Sequence, residues 1–147
     1  SLLGNPKLAA HYCDGYCLVF RLCVNHYHRY CYVDSGKKSR NVFLPGVLHT
    51  VRPIALAQYP VFAQNSREYT LIKTPEFGTV VQMEVGAMLV GRIVNHVLII
   101  PVRILLYPSF FVMLTLVITD IPELGCCIAH MPDEVRIFPA DLYGCFL

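Results

Sequence analysis

The chain has 147 residues, 55% hydrophobic and only 15% charged, with a net charge of +2. It is a single-domain length, and its apolar surplus must fill a core, an interface or a lipid contact. Residues 1–73 carry +6 and residues 74–147 carry −4, but apart from Lys37-Lys38-Ser39-Arg40 the cations are dispersed among apolar residues, which excludes the dense basic face that nucleic-acid binding needs.

In chain order the pattern predicts short β-runs punctuated by Gly and Pro across one domain, residues 1–147. Tyr16 to Val24 and Arg29 to Val33 flank Asn25-His26-Tyr27-His28. Val42 to Leu44 stops at Pro45-Gly46, and Val47 to Val51 stops near Pro53. Ile54 to Phe62 reads as an edge or kinked strand because it contains Pro60. Tyr69 to Lys73 and Thr79 to Val85 flank the turn Thr74-Pro75-Glu76-Phe77-Gly78. Met88 to Val94, Val135 to Phe138 and Leu142 to Phe146 complete the series. Ten prolines and nine glycines leave little room for a long helix. The fold class expected is all-β, an antiparallel β-sandwich of jelly-roll type.

Val97 to Ile118 has the length of a membrane span and one charge, Arg103. Pro101 and Pro108 interrupt it, and its β-branched content favours two buried strands broken at Tyr107-Pro108-Ser109. A membrane-embedded subunit stays open as an alternative.

The densest chemical constellation is His11, Cys13, Cys17, Cys23, His26, His28 and Cys31. Cys23-x-x-His26 and His28-x-x-Cys31 have the pair spacing of zinc ligands, but they overlap across one turn. If His26-Tyr27-His28 is a loop, Cys23 and Cys31 lie opposite each other and form a cross-strand disulfide or two packed thiols. Both readings stand, as a Cys/His metal-binding β-barrel and as packed or bridged cysteines. His26-x-His28 with Gly46-Val47-Leu48-His49 resembles the histidine pattern of cupins, without the acidic residue that should follow the first pair. The sequence has no nucleophile elbow and no phosphate-cradling glycine loop. Its close carboxylate pairs, Asp120/Glu123 and Asp133/Glu134, sit in Pro-bearing loops. The residues therefore predict a protein without catalysis and without a cofactor.

Leu8-Ala9-Ala10-His11, Leu142-Tyr143-Gly144-Cys145-Phe146-Leu147 and Asn41 to Gly46 followed by Ala57 to Phe62 resemble the opening strand, the closing strand and an intervening two-strand stretch of the tumour-necrosis-factor ligand family. Gly78 to Gly86 resembles a fourth family phrase, displaced toward the N-terminus. The resemblance implies a trimeric, secreted or cell-surface receptor ligand, with Phe62 and Tyr143 near the threefold axis. It implies self-association and a protein partner. A structural jelly-roll subunit of a capsid or large complex shares the same composition.

Overall fold

The computed structural model describes residues 1–13, 15–22 and 32–95, together with the backbone of 101–102, 114–119 and 135–139. The strands are β1 (Tyr16–Arg21), β2 (Gly36–Lys38), β3 (Val42–Leu44), β4 (Arg67–Lys73), β5 (Thr79–Val85), β6 (Pro101–Val102), β7 (Leu114–Thr119) and β8 (Val135–Pro139). Three short helices accompany them among the described residues: α1 (Pro6–His11), α2 (Pro53–Leu56) and α3 (Val61–Gln64).

The eight strands among the described residues belong to one antiparallel sheet, ordered β6-β2-β4-β5-β7-β1-β8, with β3 also on β4. β4 and β5 form a hairpin whose turn is fastened by Thr74, which donates to the Gly78 carbonyl from both its N–H (2.8 Å) and its hydroxyl (3.1 Å). Lys38 pairs with Ile72 but Val42 pairs with Tyr69, so three residues of one strand face two of β4. That is a β-bulge at residues 39–41. Ser39 fills it, donating its N–H to the Leu71 carbonyl (2.8 Å) and accepting the Leu71 N–H on its hydroxyl (2.9 Å).

β5 is buried from Val80 to Val85, so both faces of the sheet are covered there. Strand alternation divides its side chains between the two faces. Val81, Met83 and Val85 join Cys17, Val19, Tyr69, Leu2, Leu3 and Tyr12 in the main apolar core, beneath α1. On the other face Val80 and Leu18 pack with Phe20, Val33 and Phe77. A third cluster joins α2 and α3 to the end of the hairpin through Val51, Val61 and Ala87, with Ala55, Leu56 and Val90 against them.

Helix α1 replaces the strand expected around Leu8 to His11. Asn5 caps it, accepting the Leu8 N–H on its side chain at 3.2 Å, and Pro6 occupies the first helical position. Asn followed by Pro is a helix-start pattern whose preset φ suits the first turn. Asn5→Ala should lower stability by about 1 kcal/mol, read as a shift in the urea midpoint at an unchanged m-value. The kinked strand expected over Ile54 to Phe62 is instead α2 and α3, separated around Pro60. Both prolines sit where a helix tolerates a missing N–H, Pro53 at the start of α2 and Pro60 at the N-cap of α3. The run Val47 to Val51 is likewise not a strand; a single bridge joins Val47 to Asn65. β6 lies within Val97 to Ile118 and β7 overlaps its end, running on to Thr119, and no described helix is long and apolar enough to cross a membrane.

Candidate active site

Asn65 links α3 to β4 and is fully buried. Its side chain accepts the His49 N–H at 3.1 Å and donates to the His49 carbonyl at 2.9 Å and to the Gly86 carbonyl at 2.7 Å. One amide therefore holds both backbone groups of His49 and the exit of β5. The adjacent backbone continues this clamp, with Val47 N–H on the Gln64 carbonyl (3.1 Å) and Ser66 N–H on the Val47 carbonyl (2.8 Å). Gly46 allows the approach, since a Cβ there would lie 2.2 Å from the Gln64 carbonyl oxygen. The His49 side chain is exposed on this fixed backbone. An imidazole so placed can take or give a proton to a molecule arriving from outside.

From Gly86 the chain makes a tight turn, Ala87 to Val90, closed by reciprocal N–H to carbonyl bonds of 2.9 Å. Leu89 lies at φ +80° and is 88% exposed; Met88 beside it is 57% exposed. A branched apolar residue at positive φ costs of order 1 kcal/mol, and this one recovers nothing by burial. Returning from the turn, the chain passes Leu48, whose side chain lies where a Cβ on Gly91 would be, 2.5 Å away. It then reaches Asn95.

Asn95 ends this segment over a buried polar cluster. Glu68 and Glu84 face each other directly across the β4–β5 ladder, a placement in which two like charges repel. The Asn95 amide bridges them, donating to Glu68 Oε1 at 2.8 Å and Glu84 Oε2 at 3.3 Å. Gln82 donates to Glu84 Oε1 at 3.0 Å and accepts the Val33 N–H at 2.9 Å, while the Tyr32 hydroxyl donates to Asn95 Oδ1 at 3.3 Å. The buried Lys38 ammonium lies 5.8 Å from the Tyr32 ring centre and donates to Asn41. Burial pushes the Glu84 carboxyl from the usual 4.5 up to about 7, against the pull of its Gln82 and Asn95 hydrogen bonds, with Glu68 adding to the rise. Burial also lowers the Lys38 ammonium, and the two carboxylates partly restore it. A carboxyl that changes protonation near neutrality, inside a hydrogen-bonded network, is a common feature of catalytic centres.

Most of the residues singled out in the sequence lie elsewhere. Cys17 is buried in the main core, and its thiol is pushed up to about 12 by burial. Cys13 is exposed, with its thiol on the Ala9 carbonyl at 3.7 Å, and both cysteines are free. Among the described residues no three His, Cys, Asp or Glu side chains converge as a metal site. Cys23, His26, His28, Cys31 and Tyr143 lie outside the described residues. Phe62 is half-buried in α3 against the main core.

The phosphatidylserine decarboxylase family model matches residues 1–137. The chain is 50% identical over 95 residues to phosphatidylserine decarboxylase proenzyme 2 of Clostridium acetobutylicum, covering 65% of this chain and 33% of that protein. It is 44% identical over 95 residues to the phosphatidylserine decarboxylase proenzyme of Clostridium botulinum, and 43% identical over 95 residues to that of Clostridium tetani, in each case 64% of this chain and 32% of the relative. The chain thus spans about a third of the length of the curated relatives it matches. No solved structure matches it.

The chain belongs to the phosphatidylserine decarboxylase family. That corrects the resemblance to tumour-necrosis-factor ligands and the expectation of a non-enzymatic recognition or structural jelly-roll subunit, because the family is one of enzymes. The physical reason for the error is visible in α1: Leu8 to His11, one of the matched strand phrases, is helical.

Proposed function

We propose that this chain contributes to an enzyme that removes the carboxyl group from the serine headgroup of phosphatidylserine. The family match over residues 1–137 carries the reading. Decarboxylation breaks the bond between Cα and the carboxylate carbon and releases carbon dioxide. The electron pair left on Cα must be accommodated and then take one proton, and the headgroup becomes ethanolamine. His49 is the exposed proton-handling group on a backbone fixed at both its N–H and its carbonyl, and we assign it the proton transfer. The segments 45–65 and 86–95 contain Arg52, Arg92 and His49 but no Asp or Glu. An anionic phosphate and carboxylate would meet no like charge from them.

The test is release of labelled carbon dioxide from phosphatidylserine carrying the label in its serine carboxyl, with phosphatidylethanolamine identified by mass. Wild-type protein should release it. His49→Gln should lower the rate at least about 100-fold, the scale of a lost general acid, with the urea midpoint unchanged. No release from folded wild-type protein overturns the reaction; full activity of His49→Gln removes His49 from it.

A further inference from the structure

The turn at the end of β5 combines three features that a soluble surface has no use for. Its two tip residues, Met88 and Leu89, are large, apolar and exposed, and Leu89 holds a backbone conformation that disfavours its own side chain. The base beneath them is rigid, since Ala87 and Val90 pack with Val51 and Val61 of the helical cluster and Asn65 holds Gly86. Val47 and Leu48 continue the apolar surface on the neighbouring loop, next to His49. The segments that form this rim carry arginines and no carboxylate. An apolar point on segments that carry Arg52 and Arg92 and no carboxylate fits a bilayer with anionic headgroups, where apolar side chains enter the acyl boundary and arginines favour the level of the phosphates.

We propose that the Met88–Leu89 turn inserts into anionic membranes and so brings the His49 loop to the level of the lipid headgroups. The choice of a bilayer as the occupant rests on the lipid-substrate reading above. Insertion of two side chains gives weak, reversible attachment that depends on anionic lipid and salt.

The chain contains no Trp, so Met88→Trp places a single fluorescent reporter at the tip. Mixed with vesicles of phosphatidylcholine and phosphatidylglycerol in equal parts, its emission should shift to the blue and be quenched by brominated acyl chains. Vesicles of phosphatidylcholine alone should produce little of either. The double variant Met88→Ser/Leu89→Gly, in which glycine relieves the positive φ, should lose about tenfold or more in co-sedimentation with the mixed vesicles. Its urea midpoint should not fall. An indole that stays in water while the protein sediments with vesicles overturns the proposal, as does undiminished binding by the double variant or no binding by wild-type protein. An indole already blue-shifted before lipid is added, at a dimer mass by light scattering, overturns it in favour of a second copy on the tip. Phosphatidylglycerol has no serine carboxyl, so the two readings fail separately. Tip insertion without carbon dioxide release from phosphatidylserine removes the reaction alone; release with a water-exposed indole removes the tip alone.

Discussion

Asn65→Ala should destabilise the fold by about 3 kcal/mol, because it strips a fully buried partner from three backbone groups, one of them in a buried bond. The His49 N–H, the His49 carbonyl and the buried Gly86 carbonyl all meet this one side chain. Alanine leaves the His49 N–H and the Gly86 carbonyl without this partner and the His49 carbonyl with only the Met88 N–H at 3.4 Å, and the vacated space adds a cavity term. Asn65→Asp should be at least as damaging. It keeps the shape, but sets an oxygen without hydrogens against two carbonyl oxygens and buries a charge. Urea denaturation of both variants checks the claim. A loss below about 1 kcal/mol for alanine would show that water replaces the clamp without difficulty. Since the same amide sets the His49 backbone, the decarboxylation proposed above should fall further in either variant than the loss of folded protein explains.

The second large effect is one of pH. Glu84 has its folded value raised to about 7 from 4.5, so the native state resists ionisation that the unfolded chain accepts. Below about 4.5 both states hold the proton and no penalty exists. As pH rises toward 7 the unfolded chain ionises first, and the native state loses stability. Above 7 both are ionised and the loss is complete, at roughly 3 kcal/mol for a shift of this size. Glu84→Gln removes the titration and keeps the shape of the protonated acid. Stability measured from pH 4.5 to 7.5 should therefore fall for wild-type protein relative to the variant, the gap widening in the variant's favour toward pH 7. Parallel curves would mean that Lys38 and the amides of Gln82 and Asn95 hold the carboxylate as well as water does.

The strands were legible where strand chemistry was uninterrupted. Val42 to Leu44 and Thr79 to Val85 coincide with β3 and β5, and the turn Thr74 to Gly78 closes the hairpin. The helices were harder. α2 and α3 are four residues each, too short for helical periodicity to register. α1 does leave a signal, in Asn5-Pro6, but Leu8 to His11 also resembles a strand phrase. The site was less legible still. Gln82 and Glu84 alternate with Val81, Met83 and Val85, and alternation of polar and apolar residues normally marks a solvent-facing side. Here both sides are covered, so the polar face became a buried network. Only the register that sets Glu68 opposite Glu84 exposes the conflict between the two carboxyls. Asn65 gives no sequence signal, because its importance comes from the loops it joins, 16 and 21 residues away.

The bulge at residues 39–41 acts as a frame-shift along one edge of β4. Directly paired residues project to the same side of a sheet, and successive ones to opposite sides. Lys38 therefore shares a side with Ile72, and Leu44 with Arg67. Ile72 and Arg67 are an odd number of positions apart, so the lysine and the leucine emerge on opposite surfaces. In an unbroken strand, six residues apart, they would have emerged together. The extra residue lets a single stretch of chain deliver an ammonium to the carboxyl pair and an aliphatic side chain to the α1 core. Shortening it by one residue would force a choice between them: a cation among Val81 and Met83, or a leucine beside Glu84.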